Sequence, residues 1–272
     1  YYAFRSRYAT MGGYGNHQIV GYKNLQELVQ KAHSVAYRVT KEEALDLPEM
    51  VDEVRYVTLD PQGMKIYESL ETSSYAELLK GEVVVRNILT QLLRLQQVTG
   101  GFIRDDKGGP VQQVSKAKLM ALEEIIDDVL GEGKKLVIFA RFVPEIDAIS
   151  KLLAEKGIKH SVISGEIKNR SEQVQQFQEN PEVKVFVGQI QTTGLGLTLT
   201  AANTAIFYSM DFNYANYSQA RARIHRIGQR NTCTYIHLVA KDTIDEKVLK
   251  TLQRKEDVAK LLVDNWHTFF RR

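Results

Sequence analysis

From residue 136 onward, short apolar runs alternate with stretches of helical periodicity, and this constrains the chain more than any other feature. The runs are Leu136–Phe139, His160–Ile163, Val183–Val187, Ala205–Tyr208 and Tyr235–Val239. Helical stretches are expected near 144–156, 170–179, 216–227 and 243–262. Strands that read as continuous apolar runs are buried on both faces, which is the signature of a parallel sheet built from βαβ units. Right-handed crossovers then cover both faces of that sheet with helices. The expected class is α/β, with a mostly parallel sheet.

The upstream third reads differently. Residues 24–36 fit one short helix, and 51–60 alternate as a half-buried strand ending at Pro61. Proline suits the first position of the helix that follows. Residues 83–99 form a helix with Ile88, Leu92 and Leu95 on one face, stopped by Gly100-Gly101. The loop Asp105–Pro110 is the best candidate boundary. After it, 115–130 form an amphipathic helix with Leu119, Leu122, Ile126, Val129 and Leu130 on one stripe.

Composition excludes more than it identifies. At 272 residues the chain suits one large domain, or one domain plus a smaller helical part. The net charge of +3 makes any nucleic-acid footprint a local patch rather than a global field. Cys233 is alone, so no intrachain disulfide forms, which fits a reducing compartment. No apolar run approaches the roughly 18 residues that span a bilayer, so no membrane is expected as a partner. The start, Tyr1-Tyr2-Ala3-Phe4-Arg5, is neither a signal peptide nor an initiator methionine, and a longer parent is expected.

In a doubly wound sheet, function collects at the loops leaving the carboxyl ends of the strands. Two such loops stand out. The first runs from Gly188 to Thr198. Gly194 and Gly196 let backbone approach a ligand, and Gln191, Thr192 and Thr193 offer groups that suit phosphate oxygens. A tight strand-to-helix turn would account for the same glycines, so both readings stand. The second is Gln219 to Gln229. On a helix, Gln219, Arg223 and Arg226 fall at i, i+4 and i+7 and share one face. Arginine forks suit phosphate, and an anion between two such cations would relieve their repulsion. A solvated basic face is the competing reading. Elsewhere, His225 reads as a helix-packing histidine, and His160 and His237 as strand or surface residues. Cys233 reads as a small core hydrophobe. Tyr214 and Tyr217 suit either base stacking or core packing, and Trp266 with Phe269-Phe270 suits back-packing or an interface.

The segment QARARIHRIGQ, residues 219–229, resembles motif VI of Swi/Snf-family helicase-like ATPases. QTTGLGLTL (191–199) resembles their motif V, and LVIFARF (136–142) their motif IV. Residues 160–177 and 92–101, and 38–50 with the strand after it, are similar to further family segments in the same order. The likeness covers nearly the whole chain. Three departures suggest a bacterial or phage-like branch. Ala222 stands where the family usually has Asp, and Thr193 where Gly is usual. Asp211–Tyr217 replaces a tryptophan-rich stretch.

The resemblance implies a RecA-like second helicase domain over 113–272, connecting strand and helices over 51–112, and the tail of the first RecA-like domain over 1–50. It implies that Arg223 and Arg226 are arginine fingers, with Gln219, Gly194 and Gly196 on the ATP side. Arg141, Lys168, Gln191 and Thr192 are the candidates for contact with double-stranded DNA. ATP with Mg2+ would be held mainly by the N-terminal RecA-like domain of the same protein. That domain would carry the G-x-x-x-x-G-K-[ST] loop that this sequence lacks. The fragment alone would then be inactive. The implied location is the cytoplasm of a bacterial or phage-infected cell, or the nucleus of a eukaryote. Two other readings stand: a catalytically inactive RecA-like DNA-binding or protein-interaction module, and a strand-separating helicase of the wider superfamily.

Overall fold

The computed structural model describes residues 1–13, 15, 17–36, 45–80, 85–104, 109–165, 169–193 and 196–255. They form two compact units, Tyr1–Asp46 and Leu47–Arg272. In the first, helix α1 (Tyr2–Tyr8) leads into an antiparallel pair, β1 (Ala9–Gly12) and β2 (Gln18–Tyr22), followed by α2 (Leu25–His33). Arg7 grips both Glu27 oxygens at 2.8–3.0 Å, and Lys31 adds a third contact at 2.7 Å. Ile19, Val20, Tyr22, Leu25 and Val29 nevertheless stay exposed.

The second unit holds the sheet. Its strands are β3 (Met50–Val57), β6 (Leu136–Ala140), β7 (His160–Ile163), β8 (Val185–Gln189), β9 (Thr204–Phe207) and β10 (Cys233–Ala240). They lie in the order β3-β10-β9-β6-β8-β7, and every pairing is parallel. A separate antiparallel pair is formed by β4 (Phe102–Arg104) and β5 (Val111–Gln113). Both strands lie in the second unit, and residues 105–108 between them lie outside the described residues.

Successive side chains of a strand face opposite ways, and this splits the core in two. Val137, Phe139, Ala205 and Phe207 pack on one face against α4 (Val85–Thr99), α7 (Arg170–Glu179) and α10 (Ile244–Gln253). Leu136, Ile138 and Ile206 pack on the other against α5 (Ala117–Gly131) and α6 (Val143–Glu155). α3 (Pro61–Lys80) starts at Pro61 as expected, and Tyr67 on it is fully buried.

Two local expectations change. The strand near 51–60 is an edge strand of the main sheet, and most of its residues are exposed. The helix expected over 216–227 ends early, at α9 (Tyr214–Arg221). Beyond Arg221 the carbonyl groups leave the helical ladder: Arg223 O accepts from Leu199 N at 2.9 Å, and Ile224 O from Gln229 Nε2 at 3.2 Å. Tertiary partners replace the i→i+4 bonds, and the chain turns. Of the helix expected over 243–262, residues 256–262 lie outside the described residues, as do Trp266, Phe269 and Phe270.

Candidate functional site

The candidate residues fall at two opposite edges of the sheet. Arg223 and Arg226 lie on the turn after α9, beside residues 199–203, which run into the amino end of β9. The contacts are Leu199 N to Arg223 O, Gln229 Nε2 to Ala202 O at 2.8 Å, and Asn203 Nδ2 to Thr232 O at 2.9 Å. The expectation that this loop leaves the carboxyl end of a strand is corrected: α9 carries the chain back across the sheet first. The single helical face shared by Gln219, Arg223 and Arg226 goes with it. Gln219 is on α9 and exposed, while the two arginines are on the turn.

The arginines differ. Arg223 is 7% exposed, with Nη1 3.3 Å from Leu197 O. Arg226 is exposed. Burial, then the Arg226 charge, lowers the pKa of Arg223. Two cations that destabilise each other, one seated and one open to solvent, suit an anion. Gly196 stands exposed at φ +72° with open space where a Cβ would sit. Its backbone is one that side chains disfavour, next to the carbonyl that holds Arg223. Gly194 and Lys168 lie outside the described residues.

At the carboxyl edge, α8 (Ile190–Thr193) follows β8. Gln191 is exposed, and Thr192 Oγ1 donates to Gln189 O at 3.0 Å. Arg141 follows β6, but its side chain is 10% exposed and turned inward. It donates to Gln96 Oε1 at 3.1 Å, lies 4.0 Å from Asp211, and stacks 4.1 Å over the Phe212 ring. Arg141 and the exposed Gln191 nevertheless line one cavity.

Three residues here carry no motif signal. Gln189 ties two loops, donating to Arg141 O at 3.2 Å and accepting from Gly165 N at 3.1 Å. Glu145 caps α6: one oxygen accepts from Arg141 N, Phe142 N and Ser209 Oγ at 3.2, 3.1 and 2.5 Å. Burial raises its pKa to about 7. Lys118 pairs with Asp245 in the same buried region. Glu at the third helical position is a cap signal that sequence offers; its burial is not.

The histidines and aromatics are structural. Tyr217 is buried, with its hydroxyl 2.8 Å from His237 Nε2, so core packing holds over base stacking. His225 Nε2 donates to Pro48 O at 2.8 Å. Cys233 is buried, and burial pushes its thiol up to about 11. Among the described residues, no group of three or more His, Cys, Asp or Glu side chains could hold a metal ion. No described helix is long and apolar enough to cross a membrane.

Residues 117–228 match the family described as "Helicase conserved C-terminal domain". An uncharacterized ATP-dependent helicase of Mycoplasma genitalium is 30% identical over 91% of this chain and 24% of its own length. The chromatin-remodeling ATPase INO80 of Candida albicans is 37% identical over 54% of this chain and 11% of its own. The chain thus spans about a quarter or less of these relatives. The SWI2/SNF2 ATPase core of Sulfolobus solfataricus, solved in complex with dsDNA, is 27% identical and covers 96% of this chain and 55% of that one, with a TM-score of 0.65. With that likeness over nearly its whole length, and with the parallel sheet in place, the chain is similar to the helicase C-terminal halves of Swi2/Snf2-type ATPases.

Proposed function

We propose that this chain is the second RecA-like half of an ATP-dependent double-stranded DNA translocase, and that Arg223 and Arg226 complete an ATP site whose phosphate cradle belongs to a first RecA-like domain. The observation that carries the reading is the arginine turn: Arg223 seated on Leu197 O, and Arg226 open to solvent three residues on. A guanidinium brought to the transferred phosphoryl oxygens offsets the charge that spreads onto them, an effect worth ~10^3–10^5 in kcat. Gln219 and Gly196 would line the same side. Mg2+ neutralises charge on the β- and γ-phosphates when bound, and its ligands would come from the first domain.

The apolar residues exposed in Tyr1–Asp46 support the idea that this unit belongs to that first domain, whose remainder would cover them. Gln191 and Thr192, at the other edge of the sheet, are proposed to grip the DNA backbone, a contact that positions without reading sequence.

The test is ATP hydrolysis by the full-length protein with duplex DNA, single-stranded DNA and RNA. Strong stimulation by duplex DNA, lost in Arg226→Ala with ATP binding kept, is the expected result. Absence of hydrolysis with any nucleic acid would leave an inactive binding module instead.

A further inference from the structure

The arginine turn is held from two sides. One set of contacts is internal to the sheet edge: Leu199 N to Arg223 O, and Arg223 Nη1 to Leu197 O. The other set runs to the segment Pro48–Glu53, which follows directly on the boundary between the two compact units at Asp46. Arg221 forks onto Asp52, Nη1 to Oδ1 at 2.5 Å and Nη2 to Oδ2 at 2.8 Å. Its guanidinium stacks 4.2 Å over the Tyr235 ring, and Tyr235 Oη donates to the Arg221 carbonyl at 2.8 Å. His225 Nε2 reaches Pro48 O at 2.8 Å.

A relay reinforces this side. His237 Nδ1 lies 3.2 Å from Glu53 O, which can only accept, so Nδ1 carries the proton. His237 Nε2 therefore accepts from the Tyr217 hydroxyl at 2.8 Å, and the Tyr217 oxygen accepts from Arg221 Nη1 at 2.9 Å. Residues 221 and 225, on either side of Arg223 and the second of them next to Arg226, are thus both tied to one short stretch of chain. That stretch starts β3, an edge strand that among the described residues pairs with β10 alone and is therefore held by one ladder rather than two.

We infer that Asp52 and Arg221 are positioning residues that couple the seating of β3 to the placement of Arg223 and Arg226, so that a displacement of the connection arriving at Leu47 reaches the arginine turn. The inference rests on the reading of those arginines as ATP-facing. Bidentate arginine–carboxylate geometry transmits orientation as well as proximity, which a single lysine contact does not. The coupling would make hydrolysis depend on how the two motor halves are joined.

The test uses the full-length protein with duplex DNA and compares Asp52→Asn, Asp52→Glu, Arg221→Lys and Arg226→Ala for kcat, KM for ATP and thermal midpoint. Asp52→Asn and Arg221→Lys are expected to lower kcat about fivefold with KM nearly unchanged, the size of one lost coupling of about 1 kcal/mol. Asp52→Glu is expected to restore most of kcat. A merely structural pair would lower the thermal midpoint and leave the kcat of the folded enzyme in place, and that result overturns the inference. So does wild-type kcat in Asp52→Asn beside an inactive Arg226→Ala. An active Arg226→Ala would instead overturn the reading beneath it, and the coupling with it.

Discussion

The Lys118 ammonium stands 2.5 Å from the Asp245 carboxylate, and both side chains are 1% exposed. The pair joins five parts of the fold. Lys118 on α5 also donates to Tyr208 O at 3.1 Å, and Asp245 on α10 accepts from Ala240 N at 3.1 Å and Thr99 Oγ1 at 2.9 Å. A buried pair of this kind is strongly destabilising when only one partner is removed, because the other charge is left without compensation. Asp245→Ala is expected to cost about 3–5 kcal/mol, read from urea unfolding of the chain. Replacing both residues, Lys118→Met with Asp245→Leu, is expected to recover most of that loss. A double variant as unstable as the single one would show that packing, not the stranded charge, sets the cost.

Glu145 gives stability a pH dependence with a definite sign. Burial raises its folded-state pKa from 4.5 to about 7, against partial opposition from Ser209, the Phe142 and Arg141 amides and Lys118. A raised carboxyl favours folding while protonated, so its contribution is fully present below 4.5 and is lost as pH rises through 7. Relative to Glu145→Gln, which keeps the shape without the titration, the wild-type chain is expected to lose on the order of 3 kcal/mol across that window. The measurement is the thermal midpoint of both proteins from pH 4 to 8. Parallel curves would mean that the folded state leaves the Glu145 carboxyl unshifted.

Much of this architecture is legible in the residues themselves. Leu136–Ala140, Val185–Gln189 and Thr204–Phe207 are buried on both faces, so each reads as an unbroken apolar run. The edge strand β3 is exposed on most positions and carries no such run; its place is set by pairing with β10, whose partner residues lie 183 positions further along the chain. Local periodicity also could not end α9 at Arg221, because the bonds that end it come from Leu199 and Gln229. Arg141 shows the limit most clearly. A cation in a loop after a strand suits a phosphate, but Gln96, Asp211 and Phe212 converge on it only once α4 and the loop after β9 have packed.

Two glycines separate steric from conformational cost. A Cβ at Gly100 would fall 2.0 Å from Glu145 Oε1, inside a buried cluster. A Cβ at Gly196 would meet nothing, but the backbone there has φ +72°. Gly100→Ala is expected to cost about 1–3 kcal/mol through overpacking. Shortening Glu145 to Ala in the same chain should relieve that part of the cost. Gly196→Ala is expected to cost about 1–2 kcal/mol from left-handed backbone alone, and Glu145→Ala should leave that value unchanged. Additivity at Gly100 and Glu145 in a double-mutant cycle would contradict the contact.

The two arginines of the turn should part company when each is removed. Arg226 is exposed and its side chain serves no visible packing role, so Arg226→Ala is expected to leave the thermal midpoint within about 1 °C, as surface substitutions do. Arg223 is buried against Leu197 O, and its carbonyl anchors Leu199, so Arg223→Ala is expected to lower the midpoint by several degrees, about 1–3 kcal/mol of lost burial and hydrogen bonding. In the full-length protein both should lose ~10^3-fold or more in DNA-stimulated turnover if both face the phosphoryl group. Binding of a fluorescent ATP analogue separates the causes. Retained binding with lost turnover in Arg226→Ala places that guanidinium at the transition state. Turnover lost in Arg223→Ala only in proportion to the unfolded fraction would make Arg223 the seat of the turn and leave Arg226 as its single finger.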